Sequence, residues 1–134
     1  MDKKNKGFTL AELLVVVAII AVLVAISIPI FTSQLHKAQV VTDIANVRSY
    51  YAQLQHEYME TEKIDESKLR DWDGIGNNGL TSFKLSGAEV NLKAGQLWVA
   101  REDNNKGYNL LYICDNGDCS LMLPEDEHKD KNNK

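Results

Sequence analysis

The chain has 134 residues, 44% of them apolar and 25% charged, which is room for one small domain beside an anchor and no more. Its net charge is −4, and residues 1–7 hold three lysines against one aspartate, so losing them would take it to −6. An acidic surface of that kind argues against tight nucleic-acid binding.

From the N-terminus, Lys3, Lys4 and Lys6 precede a segment from Phe8 to Ile28 whose single ionisable residue is Glu12, and Leu13 to Ile26 is wholly apolar. As a helix it would have about 21 residues and a length of roughly 30 Å, the thickness of a bilayer's hydrocarbon core. The lysines on its near side predict a cytoplasmic N-terminus and an external C-terminal portion. A conventional secretory signal would place a small-residue cleavage site after the apolar core. Ala25, Ser27 and Pro29 make only a weak version of one. The conspicuous junction lies before the core, at Gly7-Phe8.

A carboxylate among apolar side chains costs several kcal/mol unless it is paired or interfacial, so Glu12 is a candidate functional residue. Cleavage at Gly7 would supply a cation, the α-amino group of Phe8. Glu12 stands one helical turn from it within the same chain. A plainer alternative is a first-turn glutamate favoured by the helix dipole. Pro29 closes the apolar stretch and predicts a kink, with a helix boundary as the alternative.

The run KGFTLAELLVVVAIIAVLVAISIP resembles the N-terminus of type IV prepilins and pseudopilins, closely over residues 6–29 and loosely to about residue 60. The short leader resembles that of the type IVa class. The resemblance implies that a prepilin peptidase cuts after Gly7 and that Phe8 becomes the N-methylated first residue. It further implies that Phe8 and Glu12 pair between subunits during assembly, and that the helix can melt near Pro29. The implied partners are other pilins, the peptidase, membrane lipid before assembly, and a platform with its ATPase. The implied product is a structural subunit of a surface filament, with a pseudopilin of type II secretion or of competence as the alternative. The stretch FTSQLHKAQVVTDIANVRSYYAQLQ is similar to pilins of Gram-positive bacteria. A membrane-anchored ectodomain that never polymerises would explain the anchor but not the Gly7-Phe8 junction with Glu12.

Beyond the proline, Val40, Ile44, Val47, Tyr51, Leu54 and Tyr58 recur at spacings of four and three, one apolar stripe on a continuing helix. Lys37, Thr42, Asp43, Asn46 and Arg48 read as its solvated faces. Tyr51 and Tyr58 are expected in the core, with Tyr50 partly exposed. Helix from Phe8 to about Lys63 would be about 56 residues and roughly 80 Å long. Residues 64–79, rich in charge, glycine and asparagine, read as a connecting loop. Strand character follows at Gln96–Arg101, Tyr108–Cys114 and Cys119–Leu123, and more weakly at Thr81–Leu85. Turn sequences at Asp103–Gly107 and Asp115–Asp118 predict an antiparallel meander, one face on the helix stripe and the other solvated.

The expected fold is therefore α+β, a long N-terminal helix on a small antiparallel sheet. Its segments would be a leader at 1–7, a membrane span at 8–28, an amphipathic helix at 29–63, loop and sheet at 64–123, and a disordered polar tail at 124–134. Cys114 and Cys119 flank a four-residue turn and would face each other at disulfide spacing if it joins adjacent strands. Two free thiols are the alternative. Resembling pilins often carry a C-terminal disulfide around a longer loop.

The turn's Asp115, Asn116 and Asp118 offer too few oxygens for calcium, and no second ligand pair suggests zinc. His36, His56 and His128 form no cluster, and no nucleophile with its base or phosphate loop is evident. Neither a cofactor nor an enzyme activity is expected.

Overall fold

The computed structural model describes residues 7–72 and 78–125. The greater part of the expected leader (1–6), part of the glycine-rich loop (73–77) and most of the polar tail (126–134) lie outside the described residues. Contacts divide the chain into two units, residues 1–37 and 38–134, taken here in turn.

The helix α1 spans Leu10–Thr61. It starts where Thr9 offers a hydroxyl to the first turn. It stops at Glu62, whose φ of 53° leaves the helical region and whose N–H closes onto the Tyr58 carbonyl at 2.7 Å. Pro29 sits inside it without a boundary. Having no N–H, the proline leaves the Ala25 carbonyl without its usual donor. Hydroxyls bond other carbonyls nearby, Ser27 Oγ to Leu23 O at 2.7 Å and Thr32 Oγ1 to Pro29 O at 3.0 Å. In the first unit the large apolar side chains from Leu13 to Phe31 are all exposed. The helix is long and apolar enough there to cross a membrane.

In the second unit α1 lies against five short strands in two sheets. β1 (Ser82–Leu85) and β2 (Ala88–Asn91) form a hairpin, and β3 (Gly95–Arg101), β4 (Tyr108–Cys114) and β5 (Ser120–Leu123) form an antiparallel meander. β2 was not expected. Ser86 and Gly87 both have positive φ, 50° and 85°, so the two-residue loop is of the type that matches strand twist. In β4 the inward residues Tyr108, Leu110, Tyr112 and Cys114 alternate with half-exposed ones, and Leu97 and Val99 of β3 pair with Tyr112 and Leu110 on the same face. Val40, Val47, Tyr50 and Leu54 of α1 complete this core with Phe83 and Leu123. Each fully buried leucine or valine there contributes about 1.5–3 kcal/mol.

Three expectations need correcting. The buried stripe of α1 is Val40, Asp43, Val47, Tyr50 and Leu54, so Tyr50 is in the core at 4% exposure while Tyr51 and Tyr58 are only partly buried at its edge. Asp43, read as solvated, is 0% exposed. The outer face of the sheet is not simply wet either. Trp98 is buried there under Trp72, at 4.6 Å between ring centres, and donates from Nε1 to Asn78 Oδ1 at 2.8 Å. The covering segment also pairs with the open edge of β3, through bridges Arg70–Val99 and Leu80–Leu97. What reads as loop is thus partly an edge cover, which removes unpaired backbone groups from β3.

Candidate functional site

The first candidate site is the start of α1. Thr9 is the N-cap, and Glu12 stands at the third helical position. The Glu12 N–H donates to Thr9 Oγ1 at 3.2 Å, and the Thr9 N–H donates back to Glu12 Oε2 at 3.4 Å. This reciprocal capping box satisfies two amides that the first turn would otherwise leave open. Phe8 lies one residue before the N-cap and is 84% exposed, and Gly7 is exposed too, with nothing within 4 Å of where a side chain would stand. The junction therefore sits on accessible, non-helical backbone. Glu12 is exposed and keeps acceptor capacity beyond the cap. Its partner in this chain is Thr9, and the sequence T-x-x-E was the available signal.

The second feature is the β4–β5 hairpin. Cys114 and Cys119 are joined by a disulfide, with Cα atoms 5.6 Å apart, across the four-residue turn from Asp115 to Asp118. The Cys114 N–H donates to Cys119 O at 3.2 Å, continuing the register in which Ile113 faces Ser120. Gly117, at φ 69°, donates to Cys114 O at 2.9 Å and closes the turn.

The third is a buried carboxylate that pattern reading passed over. Asp43 accepts from the Lys93 N–H at 3.0 Å on each oxygen, from the Ala94 N–H at 2.8 Å, and from Tyr112 Oη at 3.0 Å. Burial, then the hydrogen bond to Asp43 and after it that carboxylate's charge, push the Tyr112 hydroxyl well above its ordinary range, so it stays protonated as the donor. The carboxylate ties α1 to the β2–β3 corner and to the middle of β4. Its role is structural. Near the other end of β5, Arg48 pairs with Glu125 at the exposed start of the tail.

The described residues thus combine a small α+β unit with one helix long and apolar enough to cross a membrane, the class of an anchored α+β protein. Comparison with known proteins narrows the class. Residues 2–28 match the family model of the prokaryotic N-terminal methylation motif. The chain is 51% identical over 37 residues to the fimbrial protein EcpB of Eikenella corrodens, a match covering 28% of this chain and 23% of that one. It is 52% identical over 52 residues to the type IV narrow pilus major component PilA5 of Thermus thermophilus, covering 37% and 45%. No solved structure matches. The chain spans less than half the length of either curated relative. The similarity lies in part of the chain, where it joins the methylation motif to sequence shared with two pilus proteins.

Proposed function

We propose that the chain is a structural pilin. It inserts with its lysines in the cytoplasm, is cut after Gly7 by a prepilin peptidase, is N-methylated at Phe8, and is drawn by an ATPase-driven platform into a pilus on the cell surface. The observation that carries this reading is the first unit itself. Its large apolar side chains from Leu13 to Phe31 all face outward, and the one carboxylate among its described residues, Glu12, stands five residues after Gly7. Such a surface needs lipid before assembly and neighbouring helices after it. Within that packing Glu12 of one subunit would meet the new α-amino group of another and fix the axial stagger, while Pro29, lacking one helical hydrogen bond, would let the helix extend. A pseudopilin of a secretion or competence machine would share these steps. The pilus reading is favoured by two relatives named for fimbriae and pili.

The test is mass analysis of surface filaments together with a Glu12→Ala variant. The mature chain should begin with methylated Phe8, and the variant should insert and be cut normally yet yield no filament. Filaments beginning at Met1, or normal yield from Glu12→Ala, would overturn the proposal.

A further inference from the structure

The chain holds two Asn-Gly pairs, Asn78-Gly79 and Asn116-Gly117, and the structure treats them differently. Glycine after asparagine leaves its backbone nitrogen unhindered, so that nitrogen can attack the side-chain amide carbon. Asn78 is held at both ends of its amide. Oδ1 accepts from Trp98 Nε1 at 2.8 Å, and Nδ2 donates to Asp71 O at 3.1 Å. Gly79 is pressed on β3, where an added Cβ would lie 2.7 Å from Gln96 Cβ. Ring closure there would have to break both bonds and lift the edge cover.

Asn116 is exposed, its side chain makes no hydrogen bond among the described residues, and a Cβ on Gly117 would meet nothing within 4 Å. One restraint remains. The Gly117 N–H, the group that must lose its proton to react, donates to Cys114 O at 2.9 Å inside the disulfide-closed turn.

We infer that Asn116 is a site of spontaneous deamidation, and that the Cys114–Cys119 disulfide sets its rate by holding Gly117 N in the turn. The Gly117 nitrogen bonds to the Asn116 amide carbon, the carbon–nitrogen bond to the side-chain NH2 breaks, and ammonia leaves with the proton from Gly117. Water then opens the succinimide at either carbonyl, giving aspartate or isoaspartate. No oxidant or enzyme is required. The product places a third carboxylate between Asp115 and Asp118, so the exposed end of the hairpin becomes more acidic as the protein ages. The isoaspartate form also lengthens the turn's backbone.

The test is to age the full chain in detergent micelles at mildly alkaline pH, oxidised and after reduction, and to follow the tryptic peptides holding Asn78 and Asn116 by mass spectrometry. Conversion should occur at Asn116 and be several-fold slower at Asn78, and reduction should speed the Asn116 reaction several-fold. An Asn116→Gln variant should lose the change at that peptide and leave Asn78 as before. No conversion at Asn116, or equal rates at the two asparagines, would overturn the site. A rate at Asn116 indifferent to reduction would overturn the part given to the disulfide.

Discussion

Replacing Asp43 by alanine tests whether one buried carboxylate holds α1 to the sheet. The substitution strips acceptors from three donors. Two belong to residues out of water, the amide of Ala94 at 1% exposure and the hydroxyl of Tyr112 at 0%. An orphaned buried donor costs about 1–3 kcal/mol, and the Lys93 amide, on an exposed residue, costs less because water can reach it. Relief from holding a charge in the core offsets part of this. We expect Asp43→Ala to lose about 3–5 kcal/mol, a large share of the roughly 5–15 kcal/mol that small domains possess. Asp43→Asn keeps the shape and one acceptor but turns an NH2 toward donors, and should lose about 2 kcal/mol. Tyr112→Phe leaves the carboxylate two backbone donors and should cost about 1.5 kcal/mol, most of which should vanish when Asp43 is already alanine. Urea unfolding of the full chain in micelles, followed by tryptophan emission, reads these values because Trp98 is buried on the same sheet. An Asp43→Ala midpoint equivalent to a loss under about 0.5 kcal/mol, or additive effects of the two substitutions, would refute the clamp.

Three further outcomes follow from the same unit. Gly95→Ala would set a methyl group 2.4 Å from Ile113 O and 2.7 Å from the Tyr112 ring, next to the Asp43 clamp, and should cost about 3 kcal/mol by the same unfolding assay. Opening the Cys114–Cys119 loop with paired serines removes a restraint on a short loop and should lower stability by about 2 kcal/mol, read as a fall in midpoint against the oxidised parent. The cluster of Lys68 with Glu57 and Asp65 should give a pH dependence. The Lys68 hydrogen bond draws Glu57 below the usual carboxylate range, and the Ser67 hydroxyl and amide draw Asp65 below it. Their contribution is complete above that range and is lost as pH falls through it. Burial pulls Lys68 down, but the Glu57 hydrogen bond and charge carry it above its ordinary 10.5, so its contribution holds through neutrality and is lost only at higher pH. All three side chains are in part open to water, so Lys68→Met should cost about 1 kcal/mol at neutral pH and flatten the loss of stability between about pH 5 and 3.

The difference between what the sequence shows and what the fold does comes down largely to Asp43. Val40, Val47 and Leu54 repeat every seven residues, and two helical faces run through them, one by Asp43 and Tyr50, the other by Ile44, Tyr51 and Tyr58. Polarity breaks that tie toward the second face, since an aspartate on a buried stripe is ordinarily a contradiction. It ceases to be one when two consecutive amides of the β2–β3 corner and a tyrosine hydroxyl converge on it, and those donors lie about fifty to seventy residues away in the chain. Neighbouring residues stand about 100° apart around a helix, so taking position 44 in place of 43 brings in Tyr51 where the fold has Tyr50.

The hairpin of β1 and β2 was hidden for a local reason. Ala88-Glu89-Val90-Asn91 is poor in strand formers, and only Ser86-Gly87 marks the turn. The apolar segment needed no distant partners, since apolar length is a local property, and the capping box, of which only a first-turn glutamate was expected, is written in the equally local T-x-x-E spacing. The N-terminal site is therefore legible in a way the clamp is not. A segment whose character is written locally can be kept while the rest of a chain diverges, consistent with similarity to two pilus proteins that covers 37% of this chain or less.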